Sequence, residues 1–404
     1  MIKELYQVIT CETALNVTQS KVDSIRNKNI KKSGCRVYDN GFIGVAGTLG
    51  EPTEETWKEA INNLSLKIPY EFEPEKDKKR SRDLRNTDLD QAKFIEKSEY
   101  ILKNLREEFK EFIFFNKIKF NEVTSILKND CGLEYINKDS FVTLELIYKH
   151  VDSVNVFDSG ILYEGRELDV DKILSDSRNQ LKAFNKQVDL PSEEKMPVIV
   201  QFQQVAGKFY EALNGESIGT KTSMFNSKIG EKVFSDDFTL FVDRTDDNIC
   251  TPFFDKEGSV LAGDKFNLIE NGKILTGFSD KKNSKKYNIK NTAAAGGDYD
   301  DVPIISAVNM SVIPSDKTLK EMVENKKAVL VILMSGGDCT NEGNFASPVQ
   351  MSFLLENGQI VGKLPEFNIS ASIYKAFNED FIGISKDKPL CGQRALVVNM
   401  NISQ

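Results

Sequence analysis

Histidine is almost absent from this chain. Of 404 residues only one, His150, is a histidine. A zinc site with two imidazole ligands therefore cannot be built within one chain. A Ser-His-Asp triad would have to use His150 alone. Paired cysteines are missing too. Cys11, Cys35, Cys131, Cys250, Cys339 and Cys391 are scattered without CxxC spacing and read as reduced thiols. No apolar run approaches the roughly 20 residues of a membrane span. The opening MIKELYQVITCETALN lacks the basic-then-apolar layout of a signal peptide, so a cytoplasmic protein is expected. Positive charge is not in excess: 53 Lys and Arg face 61 Asp and Glu, for a formal net charge of −8. Nucleic-acid and anionic-membrane surfaces need the opposite balance to release counterions, so neither partner is expected.

What is present is ordinary for a globular protein: 40% hydrophobic and 28% charged residues. The length suggests two or three domains. Residues 5–20 alternate in places and read as strand, with Lys21 to Arg26 extending it. Asp39-Asn40-Gly41 between apolar runs is a hairpin signal, because Asn-Gly supplies the positive φ angles of a tight turn. Thr53, followed by acids, starts a helix carrying Trp57, Ala60, Ile61 and Leu64. Residues 71–90 are densely charged. They read as a basic contact patch from Lys76 to Arg85 or as a solvated loop, and the interleaved acids favour the loop. A long helix is expected from Gln91 to Lys110, and strands at 111–120, 121–128, 133–136 and 140–148. A further helix runs from Asp169 to Lys186. Gln187 to Lys195, with Pro191 and three acids, reads as a connection.

The second half opens on Met196 to Ser217. Val198-Ile199-Val200 is an apolar burst of the kind a buried strand uses. A helix-length segment follows, with Val205, Phe209, Ala212 and Leu213 on one face and Gly215 as its C-terminal stop. Its polar members are Lys208, Tyr210, Glu211, Asn214 and Glu216. Strands are then expected at 238–243, 328–334, 349–355, 359–363 and 395–402. Turn signals such as Glu270-Asn271-Gly272 and Glu356-Asn357-Gly358 lie between them. The expected fold class is α+β: a helix-containing domain over 1–190 and a β-rich, mostly antiparallel domain over 191–404.

Candidate chemistry is sparse. TAAAGGDYDD (292–301) and SGGDCTNEG (335–343) are glycine-rich, but neither is GxGxxG or ends in the Gly-Lys-Ser/Thr of a phosphate loop. Their glycines serve tight turns or let one backbone approach another, as when an extended peptide is laid along a sheet edge. Cys339, beside Asp338, and Cys391, near Arg394, lack the basic partner a thiol nucleophile needs. His150 reads as a surface or sheet-edge residue. Asp236-Asp237, Asp246-Asp247 and Asp300-Asp301 lie in polar turns and read as solvated.

Four segments, taken in order, resemble the TldD/PmbA family, described as modulators of DNA gyrase and as peptidases. They are SGCRVYDNGFIGVAG, NSKIGEKVFSDDFTLFVD, GDKFNLIENGKILTGFSDKKNSKK and SGGDCTNEGNFASPVQMSFLLENGQIVGKL. The resemblance covers nearly the whole length. It implies dimers enclosing a cavity in which an unfolded peptide is bound and, in the TldD type of subunit, cut. That type carries His-Glu-x-x-x-His on the opening helix, which holds a metal and activates its water. The best match here is Tyr210-Glu211-Ala212-Leu213-Asn214-Gly215, in which only Glu211 remains, as a vestigial catalytic group. The family's further cysteine ligand, in a Gly-x-Cys-Gly context, falls on Ser385, and Cys391 lies too late to replace it.

The resemblance thus implies the PmbA (TldE) type, without a metal of its own and with zinc expected only in a TldD-like partner. The substrate-binding residues it suggests are Tyr210, Gly296, Gly297, Asn309, Gly336 and Gly337. A stand-alone homodimer that binds peptides without cutting them is the alternative. A metal-independent hydrolase using Glu211 or Cys339 is a third reading.

Overall fold

The computed structural model describes residues 1–390 and 392–404; Cys391 lies outside the described residues. The first half is built on one eight-stranded sheet. Its strands are β1 (Ile2–Thr18), β2 (Lys21–Asp39), β3 (Phe42–Leu49), β4 (Ile68–Pro69), β5 (Lys79–Leu84), β6 (Phe112–Asn129), β7 (Glu134–His150) and β8 (Ser159–Gly165). The order is β4-β3-β2-β1-β6-β7-β5, with β8 also on β7. Helices α1 (Glu54–Asn62), α2 (Gln91–Glu108) and α3 (Val170–Phe184) complete this half. Asn40 and Gly41 adopt φ of 48° and 80°, so the β2–β3 turn forms as the Asn-Gly pair requires. Thr53 caps α1 in a capping box with Thr56.

Several expected elements take a different form. Lys21 to Arg26 do not extend β1. The chain reverses at Gln19 and Ser20, both at positive φ, and Lys21 opens β2, which runs back along β1. The four strands expected between 111 and 148 are two long ones, β6 and β7, paired over nearly their whole length. Polar residues such as Asn121, Ser125 and Asn137 do not end them, because the β6–β7 ladder continues through these positions even though their side chains are buried. The charged 71–90 stretch is not only a loop: Lys79–Leu84 is β5, paired parallel to β7.

The second half opens with β9 (Lys195–Val200). It joins a ring of strands. Residues 327–334 pair with β9, β9 with 396–403, that strand with 367–372, and that one with 344–356. Residues 344–356 then pair back onto 327–334, closing the ring. All of these pairings are antiparallel except 327–334 with β9. A separate four-stranded sheet contains 240–243, 265–270, 273–274 and 310–312.

Alternation along β9 ties the halves together. Val198 and Val200 face a core formed within the second half, around Phe209, Phe225, Phe234 and Phe238. Ile199 faces the other way. There it joins Leu330, Phe353 and Val397 in a core shared with α2, α3, β6 and β7 of the first half. The two halves therefore share a hydrophobic layer. No helix among the described residues is long and apolar enough to cross a membrane.

Candidate functional site

The segment after β9 is not the single helix its periodicity suggests. It is three short pieces: α4 (Phe202–Val205), α5 (Gly207–Ala212) and α6 (Gly215–Gly219). The apolar stripe still packs inward. Phe209 is fully buried, with its ring centroid 4.9 Å from Phe377 and 5.6 Å from Phe238. The break comes from Asn214, whose extended backbone lets its side chain cap Glu216 and Ser217. Gly215 thus starts α6 rather than ending a helix. Its N–H donates to Phe278 O at 2.8 Å. A Cβ at Gly215 would sit 2.5 Å from that same oxygen, so only glycine permits the approach.

A groove of about 400 Å³ opens beside α5. It is lined by Gln204, Val205, Gly207 and Lys208 on one side, and by Met334, Gly336, Gly337, Cys339 and Phe345 on the other. Lys208 is 5% exposed, its side chain lying against Ala371, Ile373, Phe377 and Met400. Its Nζ donates to Glu211 Oε2 at 2.8 Å. Glu211 itself is 66% exposed. Cys339 is exposed on the opposite wall. Partial burial pushes its thiol up, Lys208 pulls it down, and Glu211 and Asp338 push it up again. A thiol raised in this way is a poor nucleophile at neutral pH. His150 gives it no base: that ring stands edge-on to Phe112 at 5.3 Å, and its Nδ1 accepts the Asp152 N–H.

The positions that the resemblance assigns to metal ligands hold other groups. Tyr210 is half-buried; burial pushes its phenol up, and the Met310 backbone N–H beside it pulls the other way. Gly215 has no side chain. Ser385 is fully buried, donates to Asp387 O and accepts from Ala395 N, both at 2.8 Å. Among the described residues no group of three or more His, Cys, Asp or Glu side chains is placed to hold a metal ion. This donor set does not fit the metal of a His-Glu-x-x-x-His centre.

Gly336 and Gly337 line the groove, whereas the other expected glycines lie at the seam between the halves. Gly296 pairs with Ile304, and Gly297 O accepts from Lys256. Asn309 donates to Thr251 Oγ1, and its carbonyl accepts the Asp243 N–H. The 292–301 stretch meets the β2–β3 hairpin. A Cβ at Gly34 would fall 1.7 Å from Tyr299 O, and one at Gly47 would fall 2.2 Å from Asp300 Cβ. Both glycines thus permit close approach of chain to chain.

That seam is dense in buried charge. Arg36 is fully buried, bonded to Lys256 O and near Glu4 at 3.5 Å. Tyr38 donates to Glu4 at 2.8 Å, and Tyr70 to Glu257 at 2.9 Å. Arg244 donates to three carbonyls, of Pro252, Phe254 and Ala293. From β5, Arg82 reaches Arg244 O and Thr251 O, and Arg80 takes Asp264 in a two-pronged pair. Burial, then the Asp255 carboxylate, pushes Glu257 up to about 8.

Lys208 was visible in the sequence only as a polar member of the helix. The signal was its phase: three residues after Val205 and four before Ala212, it shares their apolar face.

Comparison with known proteins places this architecture. Residues 193–397 match the family model described as the PmbA/TldA metallopeptidase C-terminal domain. The fold is similar to TldE from Thermococcus kodakarensis, with a TM-score of 0.83, 20% identity, and coverage of 100% of this chain and 97% of that one. A metalloprotease of Methanothermobacter thermautotrophicus is 26% identical over 164 residues, 40% of this chain and 36% of its own length. A zinc metalloprotease TldD homolog of Saccharolobus solfataricus is 24% identical over 231 residues, 54% of this chain and 50% of its own. The match thus spans between about a third and a half of these curated relatives.

Proposed function

The chain belongs to the PmbA/TldD family, and from that premise we propose that it is the non-metal, TldE/PmbA-like subunit of a TldD/TldE-type protease assembly. In this reading it shapes a cavity for unfolded peptides, and a metal-bearing TldD-like partner cuts them. One observation carries the reading. Tyr210, Gly215 and Ser385 stand where the resemblance puts the metal ligands, and none of them is a free metal donor. No hydrolytic step is assigned to a metal in this chain. Glu211 alone, paired with Lys208, has no activated water to direct.

The groove is the part of the chain we assign to peptide. Gly336 has open space where a side chain would stand, so an extended backbone can approach there. Gly296, Gly297 and Asn309 lie away from it, and their bonds, to Ile304, Lys256, Thr251 and Asp243, stay within the second half.

The test uses the purified chain alone and with a co-expressed chain that carries His-Glu-x-x-x-His. Zinc content and cleavage of unfolded peptides are measured with and without chelator. The expected result is no stoichiometric zinc and no cleavage alone, with co-purification and chelator-sensitive cleavage in the mixture. Zinc and chelator-sensitive cleavage by the chain alone would overturn the reading. A stable homodimer that binds peptides and ignores the second chain would favour the stand-alone alternative. Cleavage that survives chelator but is lost in Glu211→Gln or Cys339→Ala would favour a metal-independent hydrolase.

A further inference from the structure

Lys208 is a buried cation with donors to spare. An ammonium offers three N–H donors. Glu211 takes one at 2.8 Å, and no other hydrogen-bond acceptor for Nζ is found among the described residues. Burying an ammonium is costly unless its donors are met. Solvent meets few of them here, because the side chain is 5% exposed. The stem is buried beside a small cavity lined by Val205, Phe345, Ile373, Phe377 and Met400, an apolar surround that suits its methylenes and not its head group. Its partner is free to leave: Glu211 is 66% exposed and can turn to water at little cost. The groove that Lys208 lines has about 400 Å³ of space, bounded by the open backbone at Gly336.

We propose that Lys208 is a carboxylate anchor: it takes a carboxylate of the bound peptide, and Glu211 holds that place until the peptide arrives. This rests on the peptide-binding reading above and deepens it by naming the group that is recognised. The exchange is one charge-assisted pair for another, so no covalent step is involved. The rim also carries Asp338 and Glu342, which act on Cys339 and lie near Lys208 respectively. A singly charged carboxylate suits this surround better than a phosphate, whose second charge would meet them. Two sources share the chemistry: the C-terminal carboxylate of a chain, and an Asp or Glu side chain within it.

The experiment measures fluorescence anisotropy of N-terminally labelled unfolded peptides on the full chain. Four peptides are compared: free acid or C-terminal amide, each with or without one internal Asp. If the anchor reads the C-terminus, amidation weakens binding about tenfold or more, whether or not Asp is present. If it reads a side chain, the Asp peptides bind tighter in both terminal forms. Lys208→Met abolishes the difference, Lys208→Arg restores part of it, and Glu211→Gln increases affinity for the acid forms by removing the internal competitor. Equal affinity for all four peptides overturns the anchor and leaves peptide binding standing. Binding of none of them overturns both. Should Lys208→Met fail to fold, the wild-type comparison and Glu211→Gln still decide, because neither removes a buried group.

Discussion

Two cations largely shielded from solvent show how differently this molecule uses charge. Arg244, at the seam between the halves, donates to three backbone carbonyls and lies near the buried carboxylate of Asp255. Lys208, in the groove, makes one hydrogen bond among the described residues, to a carboxylate that is mostly in water. Lys208 is 5% exposed, and Arg244 is partly buried with its Nε shut off from solvent. Arg244 gives three of its five N–H donors to backbone carbonyls and holds loops in place, although its buried Nε finds no partner among the described residues. Lys208 is under-used, and that leaves it available. A buried charge bonded to several backbone carbonyls is structural; one held by a single solvated side chain beside open space is where a ligand belongs.

The sharpest way to break this comparison is to remove the seam cation. Arg244→Met strands three carbonyls and leaves Asp255 without its opposite charge. The expected cost is about 3–5 kcal/mol, read as a lower urea midpoint with the whole fold affected. A loss no larger than a surface substitution would mean the seam is not held by its charges. Next in size is Gly34→Ala. Its Cβ would fall 1.7 Å from Tyr299 O, so the 292–301 stretch must move. A loss of about 1–3 kcal/mol is expected, with faster proteolysis at the displaced stretch.

Glu257 sharpens the contrast through pH. Its carboxyl is raised from 4.5 to about 8 in the folded chain, by burial first and Asp255 second. The folded state therefore keeps a proton that the unfolded chain releases. The group's stabilising contribution is full below about 4.5 and is lost as pH rises through about 8. Urea midpoints measured across that window are expected to fall with pH, and to fall less in Glu257→Gln. A slope unchanged by that substitution would show that other groups set it.

The smallest effect on stability is expected in the groove. Lys208→Met conserves volume and removes a pair whose partner is mostly solvated, so the change should stay within about 1 kcal/mol. A loss as large as that of Arg244→Met would erase the distinction between the two cations.

The element types were largely legible from local pattern. The Asn40-Gly41 turn, the Thr53 cap and the α2 and α3 stripes all follow from rules that act over a few residues, and they formed as those rules require. The 71–90 stretch was not legible. Its interleaved charges describe a solvated loop equally well, and the arginines of β5 become strand residues only because β7 offers an edge and Asp264 and Thr251 O offer acceptors from far along the chain. The break at Asn214 was missed for a related reason. Apolar periodicity through Leu213 continues smoothly, while the Phe278 backbone that Gly215 must approach lies more than sixty residues away in sequence.

By itself the sequence determined the α+β character, the buried strand at Val198 to Val200, and the impossibility of two imidazole ligands that one histidine imposes. Those follow from residue type and short-range spacing, which no later contact can alter. Only the tertiary structure decided that the second-half strands close into a ring. It also sent Gly296 and Gly297 to the seam while Gly336 and Gly337 went to the groove. It alone buried Lys208 with a single partner. Pairing partners, close approaches and desolvation are set by segments distant in sequence, and a charge acquires its role only when those segments have taken away its water.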